Sequence, residues 1–295
     1  MKILVLGTAS SGGFPQWNCN CAMCAGQRSG RVHAGARTQS SIAVSSDGHD
    51  WVLVNASPDI AEQIRARSPL QPRHGLHDTP IGAVVLTDAQ IEHVGGLLSL
   101  REGDPLELYA TPNVFEDLTI PLPLLPALQH YCGVHWHIVP IAGETYTSEF
   151  AVNGFDGLRF EALAVAGAAP PYASYRGDGL AGDNIALRVQ DRRNGRRLFY
   201  APNLPFLGKE EIEAMSDADC VLIDGTHWGG SEVLAAGLTT HQGGLLEAFG
   251  QISASRKLLI HIPSSDPILD ERSVQRATLD RLGIEVAYDG MEIQL

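Results

Sequence analysis

Short runs of apolar residues, each ended by glycine or by polar residues, recur along the chain and predict many buried β-strands. The runs are rich in valine and isoleucine, as strands are. The predicted strands cover residues 2–6, 41–44, 51–55, 81–86, 106–110, 137–141, 158–165, 184–189, 198–201, 221–224, 257–261, 285–287 and 291–295. Asp47 and Gly48 separate the second run from the third, and this dipeptide is a β-hairpin signal.

Segments with a helical spacing of apolar residues lie between these strands. They cover residues 60–66, 209–215, 242–249 and 267–282. The third segment follows Thr239 and Thr240, which are good N-cap residues, and the fourth ends at Gly283. The proline-rich stretch 121–126 is predicted to be a loop.

The order of these elements predicts an α/β fold of the four-layer α+β type. Strands dominate both halves of the chain, and helices lie near the end of each half. Because a sheet must bury its apolar faces, the simplest arrangement is an αββα sandwich of two mixed β-sheets flanked by helices. No repeat or low-complexity linker divides the sequence. We therefore expect one domain over residues 1–295, with a cysteine-rich loop at about 10–35.

Composition and charge narrow the function classes. The 295 residues carry 21 Lys and Arg against 34 Asp and Glu, a net charge of −13, which argues against general binding to nucleic acid or anionic membranes. No apolar run approaches the roughly 20 residues of a membrane span. The apolar run at residues 3–6 is too short for a signal peptide, so we expect a cytoplasmic location.

Three of the five cysteines, Cys19, Cys21 and Cys24, lie within six residues. In a reducing compartment such crowding favours a structural zinc ion, since thiolates at about 2.3 Å are typical zinc ligands. The alternative is three small buried apolar side chains under a loop. A tetrahedral ion needs a fourth ligand, for which His33 and the distant Asp266 are the candidates.

A second cluster of polar residues follows the buried strand at 81–86. Asp88, Gln90, Glu92 and His93 emerge from the strand end, just before Gly95 and Gly96. Together with the cysteine cluster, this pattern resembles the metallo-β-lactamase superfamily. The corresponding loop of that superfamily reads Thr-His-x-His-x-Asp-His and holds two metal ions. Here Asp88 and Gln90 replace the two leading histidines, Glu92 replaces aspartate, and only His93 is kept.

The resemblance implies further site residues in the second half of the chain. Asn203 stands where the superfamily carries a bridging aspartate, and His261 matches its last metal histidine. His241 matches a catalytic histidine of phosphodiesterase relatives, and Asp224 ends a buried strand. We therefore expect His93, Glu92, His261 and Asp224 to hold an active-site metal, with His241, Asp224 and Asp88 in catalytic roles.

The exchange of imidazoles for oxygen donors changes the expected chemistry. An oxygen-rich donor set favours one ion, Fe²⁺, over a pair of zinc ions. In the phosphoribosyl cyclic phosphodiesterase relatives, a histidine three residues beyond the last metal histidine completes the structural zinc site. That position is Ser264 here, so the fourth zinc ligand stays open.

A closer resemblance extends over essentially the whole chain. Residues 4–21, 55–60, 87–95, 182–187 and 288–291 are similar to the family of pyrroloquinoline quinone (PQQ) biosynthesis protein B. The resemblance implies a role in PQQ biosynthesis, with iron-dependent hydroxylation of a tyrosine-derived ring of the peptide precursor. The implied partners are PQQ or that precursor and other proteins of the pathway. Whether the chain forms a homodimer stays open.

Two other functions compete with hydroxylation. One is a soluble carrier in the transport of PQQ or its precursor to the periplasm, which needs cationic side chains such as Arg37, Arg101 and Arg176 in its pocket. The other is a metallohydrolase or phosphodiesterase with the ancestral chemistry, in which a metal activates water.

Overall fold

The computed structural model describes residues 1–74, 76–176, 179–205, 207–225, 239–240, 243–244, 249–250 and 252–295. Two seven-stranded mixed sheets form its centre. The predicted αββα sandwich is confirmed, because apolar side chains from both sheets meet in one cluster while helices pack on the outer faces. Within the described residues, no helix is long and apolar enough to cross a membrane.

The first sheet combines an antiparallel and a parallel half. Its strands, from one edge to the other, are β16 (Glu292–Gln294), β1 (Lys2–Gly7), β2 (Ser41–Ser45), β3 (Trp51–Val54), β4 (Ile81–Val85), β5 (Leu106–Ala110) and β6 (Val134–Ile138). β16 to β3 pair antiparallel, and β3 to β6 pair parallel. Every residue of β2 and β3 is buried, which explains why β3 is apolar throughout and β2 is apolar between the serines at its two ends.

The second sheet repeats this plan. Its strands are β15 (Glu285–Val286), β14 (Arg256–Ile260), β11 (Cys220–Asp224), β10 (Arg197–Ala201), β9 (Ile185–Asp191), β8 (Leu158–Ala164) and β7 (Thr147–Phe150). β7 to β10 pair antiparallel, and β10, β11, β14 and β15 pair parallel. A separate two-stranded pair joins β12 (Thr239–Thr240) to β13 (Gly243–Gly244).

Short helices cover the outer faces of both sheets. They are α1 (Ala22–Arg28), α2 (Ile60–Arg65), α3 (Ile91–Val94), α4 (Pro112–Thr119), α5 (Leu124–Leu128), α6 (Lys209–Ser216) and α7 (Val274–Arg281). Single 3₁₀ segments span Ser68–Leu70, Gly95–Leu100, Pro171–Arg176 and Pro267–Leu269. Helix α4 begins where Thr111 accepts a hydrogen bond from the Val114 amide and Pro112 occupies the first turn.

Four local predictions were wrong. The predicted helix 267–282 is two elements, because the side chain of Asp266 caps the 3₁₀ segment and that of Ser273 caps α7. The predicted strand 137–141 is β6, shifted back to Val134–Ile138 by its register with β5. The proline-rich loop 121–126 contains the start of α5. The first part of the helix predicted at 242–249 is not helical, since Gly243–Gly244 pairs as strand β13. Residues 242 and 245–248 lie outside the described residues.

The parallel half of each sheet determines where a site can form. Ligands of open sheets with parallel strands bind at the carboxyl ends of those strands. At these ends the chain places residues 86–93 after β4, Asn203 after β10, Asp224 at the end of β11 and His261 after β14. Gly96 lets its 3₁₀ segment lie against the loop after β3, because a Cβ there would meet the Ser57 carbonyl oxygen at 2.0 Å.

Candidate active site

His93 is a buried imidazole whose two nitrogens both have partners. Its Nδ1 lies 2.8 Å from each carboxylate oxygen of Asp88, and its Nε2 lies 3.1 Å from the Ser40 hydroxyl. A carboxylate on one imidazole nitrogen fixes the tautomer, so that Nδ1 carries the proton and Nε2 carries the lone pair. Asp88 therefore orients His93, and Nε2 is the nitrogen that can take a metal.

Asp88 is itself held by the loop that carries it. Its Oδ2 accepts the Thr87 hydroxyl at 2.9 Å, and its Oδ1 accepts the Gln90 amide at 2.9 Å. Asn55 supports Thr87 from the end of β3, with its Oδ1 3.0 Å from the Thr87 amide. Asn55 adopts the left-handed conformation, φ 63°, which asparagine tolerates better than most residues. These hydrogen bonds connect the ends of β3 and β4 and fix the position of the Asp88 carboxylate next to His93.

His261 stands between two carboxylates. Its Nδ1 lies 3.4 Å from Asp224 Oδ1, and its Nε2 lies 3.8 Å from Glu92 Oε1. Burial alone would lower the pKa of His261, yet the two carboxylates raise it far above the usual range. Burial likewise opposes the charge of Glu92, but His261 and Ser11, whose hydroxyl donates at 2.6 Å, lower the pKa of that carboxyl. The two neighbouring carboxyl groups therefore favour the protonated form of the His261 ring.

The structure brings the four predicted ligands to one place. The ring centroids of His93 and His261 are 5.2 Å apart, and Glu92 and Asp224 flank His261. Two imidazoles and two carboxylates suit a divalent metal by type. Their present spacing is that of ion pairs, because among the described residues only the cysteine cluster places three such ligand atoms within 4.8 Å of one another. A metal ion bound at His261 would supply positive charge between the two carboxyl groups.

The remaining predicted residues of this site have other partners or lie outside the described residues. The Asn203 amide donates to Asn184 Oδ1 at 2.6 Å. Asp224, one of the four predicted ligands above, also accepts a hydrogen bond through its second carboxylate oxygen, from the Leu204 amide at 3.4 Å. His241 lies outside the described residues. Sequence reasoning missed Ser40 and Ser11, which the fold brings to His93 and Glu92 from distant loops, and no local motif marks either serine.

The cysteine cluster has the geometry of a thiolate metal site. The sulfurs of Cys19, Cys21 and Cys24 all lie within 4.8 Å of one another. Thiolates bound to one zinc at about 2.3 Å would stand roughly 3.8 Å apart, so the cluster fits the ion. Backbone amides of Cys21 and Cys24 donate to the preceding cysteine sulfurs at 3.4 Å, and the Cys21 amide lowers the pKa of the Cys19 thiol.

Neither candidate for the fourth zinc ligand joins the cluster. Asp266 is occupied as a cap, since its Oδ1 accepts the Ile268 amide at 2.9 Å, and His33 is exposed. Within the described ranges, no fourth histidine, cysteine or carboxylate completes the group. The backbone carbonyl of Ser264 lies 3.8 Å from the Cys21 sulfur and 3.7 Å from the Cys24 sulfur. It connects this loop to the strand end that carries His261.

The fold and this strand-end site define a metallo-β-lactamase-type domain. Residues 50–262 match the family described as the Beta-lactamase superfamily domain. The chain belongs to the coenzyme PQQ synthesis protein B family. It is 47% identical to the protein of that name from Methylobacillus flagellatus over 308 aligned positions that cover 100% of both chains, and 49% identical to that of Cupriavidus necator, covering 100% of this chain and 99% of the relative.

Solved structures agree with this assignment. The Zn²⁺-bound PqqB of Methylobacterium extorquens superposes with a TM-score of 0.87 and 32% identity, covering 100% of each chain. A diphosphatase of the PhnP family superposes with a TM-score of 0.67 at 18% identity, covering 100% of this chain and 97% of that one. The second likeness shows the shared fold only.

Proposed function

We propose that the chain acts in PQQ biosynthesis by metal-dependent hydroxylation of a tyrosine-derived ring of the peptide precursor. Its membership of the coenzyme PQQ synthesis protein B family supports a role in PQQ biosynthesis. The observation that supports the reaction is the set of side chains around His261, in which two carboxylates and a second imidazole meet at the strand ends. Such a mixed oxygen and nitrogen set suits one Fe²⁺ ion with open coordination positions.

His93, Glu92, His261 and Asp224 would hold the iron. Ferrous iron, when bound, would supply the activation of O₂ that side chains cannot provide. Each hydroxylation replaces a ring C–H by C–OH. It consumes one O₂, two electrons from an external reductant and two protons, and it releases one water.

The chain's own residues prepare the site for this reaction. Asp88 keeps the lone pair of His93 on Nε2, and Ser11 holds Glu92 at the rim of the site. His241 is assigned the transfer of protons, a role that suits an imidazole with a pKa near neutral.

The two competing functions have less support. A carrier for an acidic cofactor needs available cations, but Arg37 is buried and donates to the Thr8 hydroxyl and to the Ala287 carbonyl. Arg101 donates to the Leu98 carbonyl, and the side chain of Arg176 lies outside the described residues. A two-metal hydrolase needs ligands at positions 88 and 203, but Asp88 is paired with His93 and Asn203 with Asn184.

An anaerobic assay tests the proposal. The purified chain is supplied with Fe²⁺, a reductant and a peptide carrying the tyrosine-derived ring, and products are followed by mass spectrometry. We expect no product until O₂ enters, and then a mass gain of one oxygen per hydroxylation, labelled when ¹⁸O₂ is used. Conversion without O₂, or label arriving from H₂¹⁸O instead, would contradict it. Metal analysis of the same sample should find iron in addition to zinc.

A further inference from the structure

A second group of metal-binding side chains lies at the edge of the first sheet, outside the proposed active site. His135 and His137 are two residues apart on the edge strand β6, so both side chains point to the same face. Glu107 on the neighbouring strand β5 is the register partner of His135. The parallel pairing thus places one carboxylate beside two imidazoles.

The three side chains are already in contact. Glu107 Oε1 lies 2.7 Å from His135 Nδ1, and Glu107 Oε2 lies 2.5 Å from His137 Nε2. Both histidines lower the pKa of Glu107 against the opposing effect of burial, so the carboxylate is ionised. Adjacent ligands of one tetrahedral ion, bound at 2.0–2.2 Å, stand roughly 3.3–3.6 Å apart, so each pair, now at hydrogen-bond distance, would have to open by about 1 Å to admit the ion.

The surrounding residues hold the strand but leave the group accessible. The His137 ring stacks on Tyr109 with centroids 4.5 Å apart, and on the opposite face of β6 the Trp136 ring stacks on Phe115, with centroids 3.8 Å apart. The side chains of Glu107, His135 and His137 are 33%, 61% and 30% exposed. Solvent can therefore fill the other coordination positions of an ion.

We propose that Glu107, His135 and His137 form a binding site for a divalent transition-metal ion. Two imidazoles and one carboxylate suit Zn²⁺, Ni²⁺ or Cu²⁺ better than Mg²⁺ or Ca²⁺. In the structure the three ligand atoms do not all lie within 4.8 Å of one another. Binding of one ion therefore requires the exposed His135 ring to rotate toward His137. Each ligating nitrogen then presents its lone pair, with its proton on the other ring nitrogen or released.

Ni²⁺ binding to the full-length chain, after the cysteines have been loaded with Zn²⁺, tests this site. Equilibrium dialysis compares the unmodified protein with His135→Ala and with the matched control His130→Ala, which removes another exposed histidine. We expect the parent and the control to bind one Ni²⁺ more per chain than His135→Ala, or to bind it at least about tenfold more tightly.

The difference between variants isolates this site from the cysteines and from the proposed active site, which all three proteins share. Because His135 is largely exposed, its substitution leaves the fold intact, and circular dichroism verifies this point. Glu107→Gln provides a second variant of nearly unchanged shape that should also weaken Ni²⁺ binding. Equal stoichiometry and affinity in the parent and His135→Ala, or an equal loss in His130→Ala, would overturn the proposal.

Discussion

The Nδ1 atom of His93 lies 2.8 Å from both carboxylate oxygens of Asp88, and both residues are buried. The sequence predicted a catalytic role for Asp88, and in the structure its side chain points to the neighbouring imidazole and orients that ring. Replacement of Asp88 should therefore act on the metal through His93.

Asp88→Asn should weaken Fe²⁺ binding about 10- to 100-fold, the usual loss when the partner of a ligating histidine is removed. The amide carries no charge, so it stabilises the His93 tautomer less well. Competition with a coloured Fe²⁺ chelator measures the affinity. Asp104→Asn, at an exposed carboxylate, is the matched control and should bind iron normally. Unchanged iron affinity in Asp88→Asn would show that Asp88 does not act through His93.

Cys24→Ser should abolish the zinc binding expected at the cysteine cluster. Cys24 is buried, and its sulfur belongs to the only three-ligand cluster among the described residues. Metal analysis should find about one zinc fewer per chain, and the melting temperature should fall because a structural zinc contributes directly to folding. Cys132→Ser, at a half-buried cysteine outside the cluster, should retain its zinc. If both variants keep the same zinc content, the cluster is not a zinc site.

Asp266→Asn should stabilise the protein at neutral pH. Burial raises the pKa of Asp266 to about 6, and the Ile268 amide, which lowers it, offsets only part of that shift. The folded protein binds this proton more tightly than the unfolded chain, in which the pKa is near 3.9. The protein therefore loses stability as the pH rises from about 4 to 6 and the buried carboxyl group ionises. Asparagine caps equally well and does not titrate. We expect a gain of about 1–3 kcal/mol in the free energy of unfolding at pH 7, which disappears below pH 4.

Denaturant titrations at both pH values, with zinc analysis, measure this effect. Asp270→Asn, at a half-buried carboxyl close by in the chain, is the control and should change little. The experiment also distinguishes the two roles considered for Asp266. If it were the fourth zinc ligand, Asp266→Asn would lose zinc and stability together at pH 7.

Most of the fold could be predicted because its central strands are buried on both sides, whereas the exposed edge strand β7 was missed. A run such as β3, Trp51–Val54, is apolar throughout, so its identity does not depend on distant contacts. Errors arose where tertiary pairing overrides the local pattern. Val139 and Ile141 are apolar and buried, yet they follow β6, because β5 fixes the register at Val134–Ile138. Caps at Asp266 and Ser273 likewise divided a helix that looks continuous.

Of the candidate site, the sequence could predict only the residues that directly follow buried strands. His93 and His261 follow buried strands, and the fold brings them to within 5.2 Å between ring centroids. Hydrogen bonds from the Thr87 hydroxyl and the Gln90 amide set the direction of the Asp88 side chain. The spacing of residues in the sequence does not predict these bonds. The serine at position 40 reaches His93 across 53 residues of sequence, a contact that only the assembled sheet creates.

Gly96→Ala should test how tightly the strand-end loops must pack. A Cβ at this position would lie 2.0 Å from the Ser57 carbonyl oxygen and 2.7 Å from the Ile60 side chain, and backbone cannot yield as a flexible side chain can. We expect a loss of about 1–3 kcal/mol or more in stability from overpacking. Gly35→Ala is the control, because nothing lies within 4 Å of its added Cβ. Urea unfolding measures both variants, and an equal stability of the two would mean that the loops after β3 and β4 are free to separate.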